Sequence, residues 1–258
     1  MKTFGSLLLV LSSLSLAVPV DTLTQKGPDG SLSILALPKT PGKHPALILA
    51  PEWWGLNDYA RHRAVQLANL GYVAFAVDMY GQGVSTSDAK VAKMLSGQVS
   101  GTPLMAERAQ AGLDQLLATG LVDPKKVAAI GYCFGGSTVQ VLAYSGAPVA
   151  GIVSFHGGLM VPPAGAPNGV KILVCQGAID PTIKPEQTAA FVKALNDAKF
   201  DYKFVLYAGA KHAFSNPGAD ALAQANHIEA AIAYNADADR RSWADMRAFL
   251  DELFAAQD

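Results

Sequence analysis

The 258-residue sequence holds only two cysteines, Cys133 and Cys175, and no C-x-x-C pair. That excludes a disulfide scaffold, a zinc knuckle and a thioredoxin-type motif. H-E-x-x-H and clustered metal-ligand spacings are missing too, so neither a metal nor a cofactor is expected. Charge lacks any pattern: 20 basic residues face 21 acidic ones, a formal net charge of −1, with no run of one sign long enough to track phosphates. Nucleic acid is not an expected partner. No apolar run reaches the ~20 residues of a membrane span, no asparagine sits in an N-x-S/T acceptor, and no internal repeat or low-complexity linker occurs.

The opening stretch "MKTFGSLLLVLSSLSLAVPV" has Lys2, an apolar core from Leu7 to about Leu16, and small residues Ser15 and Ala17 spaced as at a cleavage site. It reads as a secretory leader removed after Ala17. The alternatives are a buried first helix or an uncleaved anchor. With the leader gone, a soluble secreted or periplasmic protein without a stable membrane anchor is expected; with it retained, a cytoplasmic one. Residues 18–258 read as one domain, because half of the chain is apolar and no composition break follows the leader.

Beyond the leader, short β-branched apolar runs alternate with helix-period segments, the pattern of an α/β fold. "DTLTQK" and "SLSILALP" flank the turn-prone "GPDG" and predict an antiparallel N-terminal hairpin. Further strands are expected at 46–51, 72–79, 126–132, 149–156, 171–177 and 202–209. Being apolar nearly throughout, they suit a mostly parallel central sheet covered by helices on both faces. Helices are expected at 57–70, 103–119, 136–145, 185–198 and 236–256, with a short one near 87–95. Residues 216–239 are left as a loop that is or is not a lid.

"GYCFGG" at 131–136 follows an expected central strand and opens a helix. Ligand sites of open α/β sheets lie at that carboxyl end. Gly131 and Gly135 occupy the glycine positions of a G-x-S-x-G nucleophile turn, and Cys133 stands where serine is usual. A helix N-terminus beneath a thiol favours its thiolate, and the Phe134 N–H becomes an oxyanion-hole donor. A plain glycine turn around a buried cysteine is the bland alternative.

A nucleophile needs a base and an acid to orient it, in the chain order nucleophile, acid, histidine. "AIDP" puts Asp180 after the strand "KILVCQG", and "AKHAF" puts His212 after "YKFVLYAG". Alone, Asp180 reads as a helix cap and His212 as a surface histidine; together with Cys133 they form an ordered set converging on one rim. His156 in "SFHGG" also ends a strand, but it precedes the acid and is assigned to packing or to supporting the site residues from behind. The "GQG" at 81–83 lacks the context of a nucleotide loop and reads as a turn.

"PEWWGLN" (51–57), "DMYG" (78–81), "GYCFGG", "SFHGG" (154–158), "GAIDP" (177–181) and "KHAF" (211–214) together resemble the dienelactone hydrolase family, cysteine-using relatives within the α/β-hydrolases. The resemblance implies an α/β-hydrolase fold and a carboxylic ester or lactone hydrolase with Cys133 as nucleophile, His212 as base and Asp180 as orienting acid. It also implies that Glu52 contacts the resting thiol and helps activate it, and that Trp53 supplies the second oxyanion-hole N–H. The family arginine four residues after the histidine is replaced here by Asn216, and the segment after "DMYG" offers no arginine before Arg108. A neutral ester or lactone therefore stands beside a dienelactone as the substrate, Asn216 is a candidate substrate contact, and Trp53, Trp54, Phe134 and Phe214 are candidates to line an apolar pocket. The expected partner is a small-molecule ester or lactone, in a monomer or small homo-oligomer. A non-catalytic hydrolase-fold binding protein and a thiol redox protein are the alternatives from other classes.

Overall fold

The computed structural model describes residues 20–257; the expected leader lies outside them. Eight strands form one sheet: β1 (Asp21–Lys26), β2 (Leu32–Leu37), β3 (His44–Ala50), β4 (Val73–Ala76), β5 (Val122–Tyr132), β6 (Gly151–Phe155), β7 (Lys171–Gly177) and β8 (Tyr202–Tyr207). Their order is β1-β2-β4-β3-β5-β6-β7-β8. The β1–β2 hairpin and the β2–β4 pair are antiparallel, and every other pair is parallel.

The helices are α1 (Asp58–Asn69), α2 (Ala89–Gly97), α3 (Leu104–Ala118), α4 (Phe134–Tyr144), α5 (Pro185–Asp197), α6 (Ala219–Asn226) and α7 (Ala236–Ala255). Strand side chains alternate between the faces. Ala46, Ile48, Val127 and Ala129 point to the core that Leu113 of α3, Val139 of α4 and Phe191 of α5 complete. Leu47, Leu49, Ala128 and Ile130 point to the opposite core, closed by Ala64 and Leu67 of α1 and by Met246 and Leu250 of α7. Both faces are covered, which is why these strands are continuously apolar. The edge strand β8 departs from that expectation: it is only partly buried, and Leu206 is exposed.

Local chemistry sets the boundaries. The Asn57 side chain accepts from the Ala60 N–H at the start of α1, and Asn235 accepts from Ala238 at the start of α7. The expected strand at 72–79 stops at Ala76 because the buried Asp78 carboxylate collects the N–H groups of Leu32, Tyr80, Gly81 and Gly83, turning the chain. Helix α4 begins at Phe134, two residues before the expected start, because the turn at Cys133 runs directly into it. Helix α6 occupies part of the segment left open as a loop.

Candidate active site

Cys133 sits between β5 and α4 with φ 54° and ψ −116°, a conformation that a non-glycine residue adopts only when its surroundings impose it. Those surroundings are glycines. A Cβ on Gly131 would lie 1.9 Å from the Gly135 carbonyl oxygen, and one on Gly135 would lie 2.0 Å from that of Ala50. Both side chains are excluded by backbone, so the strand, the turn and the helix close tightly enough to lift the thiol out of the sheet end.

Three loops at the carboxyl ends of β5, β7 and β8 meet there. His212 Nε2 lies 3.1 Å from Cys133 Sγ, and His212 Nδ1 lies 2.9 Å from Asp180 Oδ2. Asp180 is itself fixed: Gln176 Nε2 donates to Oδ2 over 2.8 Å, and the Thr182 N–H and hydroxyl donate to Oδ1. The backbone of His212 is tied to the segment after α6, its N–H donating to Ala231 O while its carbonyl accepts from the Ala233 N–H. Burial opposes a charged imidazole, but the Cys133 sulfur and the Asp180 carboxylate outweigh it and hold His212 well above the ordinary 6.5. Burial would raise the Asp180 pKa; His212 and Thr182 outweigh that and hold it below 3.8.

Glu52, on the loop after β3, is buried. Its Oε2 accepts from Asn216 Nδ2 over 2.7 Å, while Oε1 has no partner. Desolvation pushes its pKa from the ordinary 4.5 to about 7, against the pull of Asn216 and His212. The resting hydrogen bond of the thiol therefore goes to His212, and that of Glu52 goes to Asn216 rather than to the thiol. Asn216 correspondingly faces the carboxylate, not the substrate space.

The cavity over Cys133 is walled by Trp53, Phe134, Leu159, Met160, Ile183 and Ile228, among others. Trp54 and Phe214, also expected to line it, do not. Trp54 turns inward against Trp53 at a ring distance of 4.9 Å, and Phe214 is buried between Tyr207 and His156. Of the two adjacent tryptophans only Trp53 reaches the cavity, because Trp54 is buried behind it. The N–H groups of Trp53 and Phe134 have no acceptor among the described residues.

His156 packs behind the site and is connected to it, both within the role expected of it. Its Nε2 lies 2.7 Å from Ser215 Oγ, its ring stands edge-on to His212 at 5.4 Å, and burial, His212 and Arg63 keep it neutral. Ser215 leads on to Tyr59 and to the buried Arg63. The sequence reading missed Thr182, Gln176, Ser215 and Arg63. Thr182, two residues after Asp180, carries the one local signal, a hydroxyl placed to bond the carboxylate of an Asx turn; the others are brought in by chain folding alone.

A mostly parallel eight-stranded sheet with helices on both faces, and with Cys133, Asp180 and His212 gathered at its carboxyl rim, defines an α/β-hydrolase. Residues 33–254 match the model of the dienelactone hydrolase family. The chain belongs to that family of hydrolytic enzymes. It is similar to the crystal structure of a dienelactone hydrolase-like promiscuous phosphotriesterase from metagenomic libraries, at 36% identity and a TM-score of 0.84, over 92% of this chain and 99% of that one. A Synechocystis protein named "Putative carboxymethylenebutenolidase" is 26% identical over 249 residues, 88% of this chain and 95% of that protein. A Bradyrhizobium protein named "Probable 2-oxo-3-(5-oxofuran-2-ylidene)propanoate lactonase" is 27% identical over 206 residues, 75% of this chain and 82% of that protein.

Proposed function

We propose that this hydrolase cleaves carboxylic esters or lactones by acyl transfer through Cys133, His212 and Asp180. The observation that carries the reading is the hydrogen-bonded line from Cys133 Sγ through both ring nitrogens of His212 to Asp180 Oδ2. In the first half-reaction the Cys133 thiolate, paired with the His212 imidazolium, attacks the carbonyl carbon, and the carbonyl electron pair moves onto oxygen. The N–H groups of Trp53 and Phe134 receive that oxyanion; such a donor is worth about 3 kcal/mol to the transition state. Collapse breaks the C–O bond, His212 returns its proton to the alkoxide, and an acyl-thioester remains. Water then gives a proton to His212 and adds to the thioester; the second collapse expels the sulfur and releases the acid.

The test uses p-nitrophenyl acetate and a set of lactones with the wild type, Cys133→Ala and His212→Ala. Loss of turnover in both variants, with an acyl adduct on the wild type that hydroxylamine removes, is expected. Turnover by Cys133→Ala equal to that of the wild type overturns the assignment. The proposal also covers an exported form that starts at Val18 as a single domain; intact mass of the exported protein checks this, and a chain beginning at Met1 refutes it.

A further inference from the structure

The cavity over Cys133 has a volume of about 560 Å³, and among the described residues the only ionisable side chains in its lining are Cys133 and His212. Among the described residues no lysine or arginine lines it. The buried Arg63 is engaged by Asp239 and the Ser215 carbonyl behind the site, and Arg108 donates to Met79 O. The uncharged polar lining is largely engaged as well. Ser96 donates to Lys93 O, Ser137 to Gly158 O and Thr182 to Asp180 Oδ1. His212 is held between Cys133 and Asp180. What remains open to a ligand is mainly the apolar wall of Trp53, Phe134, Leu159, Met160, Ile183 and Ile228.

A carboxylate on the substrate would lose its hydration in this cavity and find few free donors and no cation beyond His212, whose ring nitrogens are already taken by Cys133 and Asp180. Burial without such compensation is strongly unfavourable. An uncharged chain gains from the same wall by shedding apolar surface from water. Among the most exposed large apolar side chains of the described residues are Met94, Val161 and Ile179, all more than half exposed. Each lies within three residues of a lining residue: Ser96, Met160 and Thr182 respectively.

We infer that the site selects uncharged esters or lactones with an extended apolar acyl group and discriminates against substrates that carry a carboxylate. The inference rests on the proposed acyl transfer and adds the substrate class to it.

The test compares two esters of similar acyl length at neutral pH, p-nitrophenyl octanoate and the mono-p-nitrophenyl ester of adipate, each rate divided by the ester's own hydroxide rate. The expected kcat/KM is on the order of a hundredfold higher for octanoate, about 2.7 kcal/mol of discrimination. Gln187→Arg and Ser137→Arg, which place a cation in the lining, are expected to narrow that ratio about tenfold or more, mainly by lowering KM for the adipate ester. The two positions serve as independent checks should one variant fold poorly. A wild-type ratio below about tenfold, or a preference for adipate, overturns the inference while leaving acyl transfer standing. Failure to hydrolyse either ester overturns the acyl-transfer reading and this inference with it.

Discussion

Asn216 Nδ2 donates to Glu52 Oε2 over 2.7 Å, although 164 residues separate the two in the chain. Both are buried, and Glu52 Oε1 has no other partner to share its charge. One amide hydrogen bond does not compensate the desolvation of a carboxylate, so the protonated acid is favoured in the folded state until about pH 7.

The consequence for stability follows from proton linkage. Between the ordinary 4.5 and about 7 the folded chain holds a proton at Glu52 that the unfolded chain has released. The folded state binds more protons there, so stability falls as pH rises through that window. The separation corresponds to a loss on the order of 3 kcal/mol. Glu52→Gln keeps the shape without the titration, and its urea midpoint is expected to fall much less than the wild type's from pH 4.5 to above pH 7. Parallel pH profiles for the two proteins would refute the assignment to Glu52.

Asp180→Asn tests how far the acid orients the base. The asparagine amide offers His212 Nδ1 a donor in place of a carboxylate oxygen, which favours the wrong imidazole tautomer and withdraws the charge that supports the imidazolium. We expect kcat to fall on the order of a thousandfold with little change in KM. Rapid-mixing kinetics on a p-nitrophenyl ester reads both half-reactions. A variant within about threefold of the wild type would remove Asp180 from the mechanism.

Much of this architecture was legible in the sequence, for physical reasons that differ by region. Strands β3, β5 and β7 are buried on both faces, so nearly every residue in their central stretches had to be apolar. Cys133, Asp180 and His212 could be placed on one rim from the sequence because each follows the carboxyl end of a strand, and strand ends of a parallel sheet share a rim. What failed to show were side-chain directions. Nothing in "EWWG" says that Trp53 faces the cavity and Trp54 the core. Nothing in "HAFSNP" says that Asn216 turns to Glu52. The segment that walls the cavity with Ile228 and holds the His212 backbone through Ala231 and Ala233 also escaped. Its partners are tertiary, and its own sequence carries no strand or cap signal.

Gly135→Ala is expected to be severe. The added Cβ would stand 2.0 Å from Ala50 O and 2.6 Å from Pro51 O, so the loop carrying Glu52 and Trp53 has to move. A backbone displacement in a packed core is expected to cost about 3 kcal/mol or more, and kcat falls with it because the two oxyanion donors separate. Gly97→Ala in α2 is the control, since a Cβ there meets nothing within 4 Å. It should be neutral or stabilising by about 0.5–1 kcal/mol. Equal melting temperatures for the two variants would contradict the close-approach argument.

Arg63 is the buried cation that ties the back of the site together. It donates to the Ser215 carbonyl over 2.6 Å, pairs with Asp239 and lies 5.0 Å from the centroid of the Trp243 ring. Arg63→Met fills much of the same volume but removes the cation from Asp239, leaving it the Tyr234 hydroxyl, and leaves Ser215 O only the Tyr59 hydroxyl. Removing one partner of a buried pair typically costs about 3–5 kcal/mol. In the double variant Arg63→Met/Asp239→Asn the stranded charge is gone, so more than half of that loss should return. Chemical denaturation of the wild type, both single variants and the double variant completes the cycle. Additive losses would show that the pair is not coupled. Because Ser215 also contacts His156, which packs against His212, the single variant is further expected to lower kcat, and the double variant to restore it only in part.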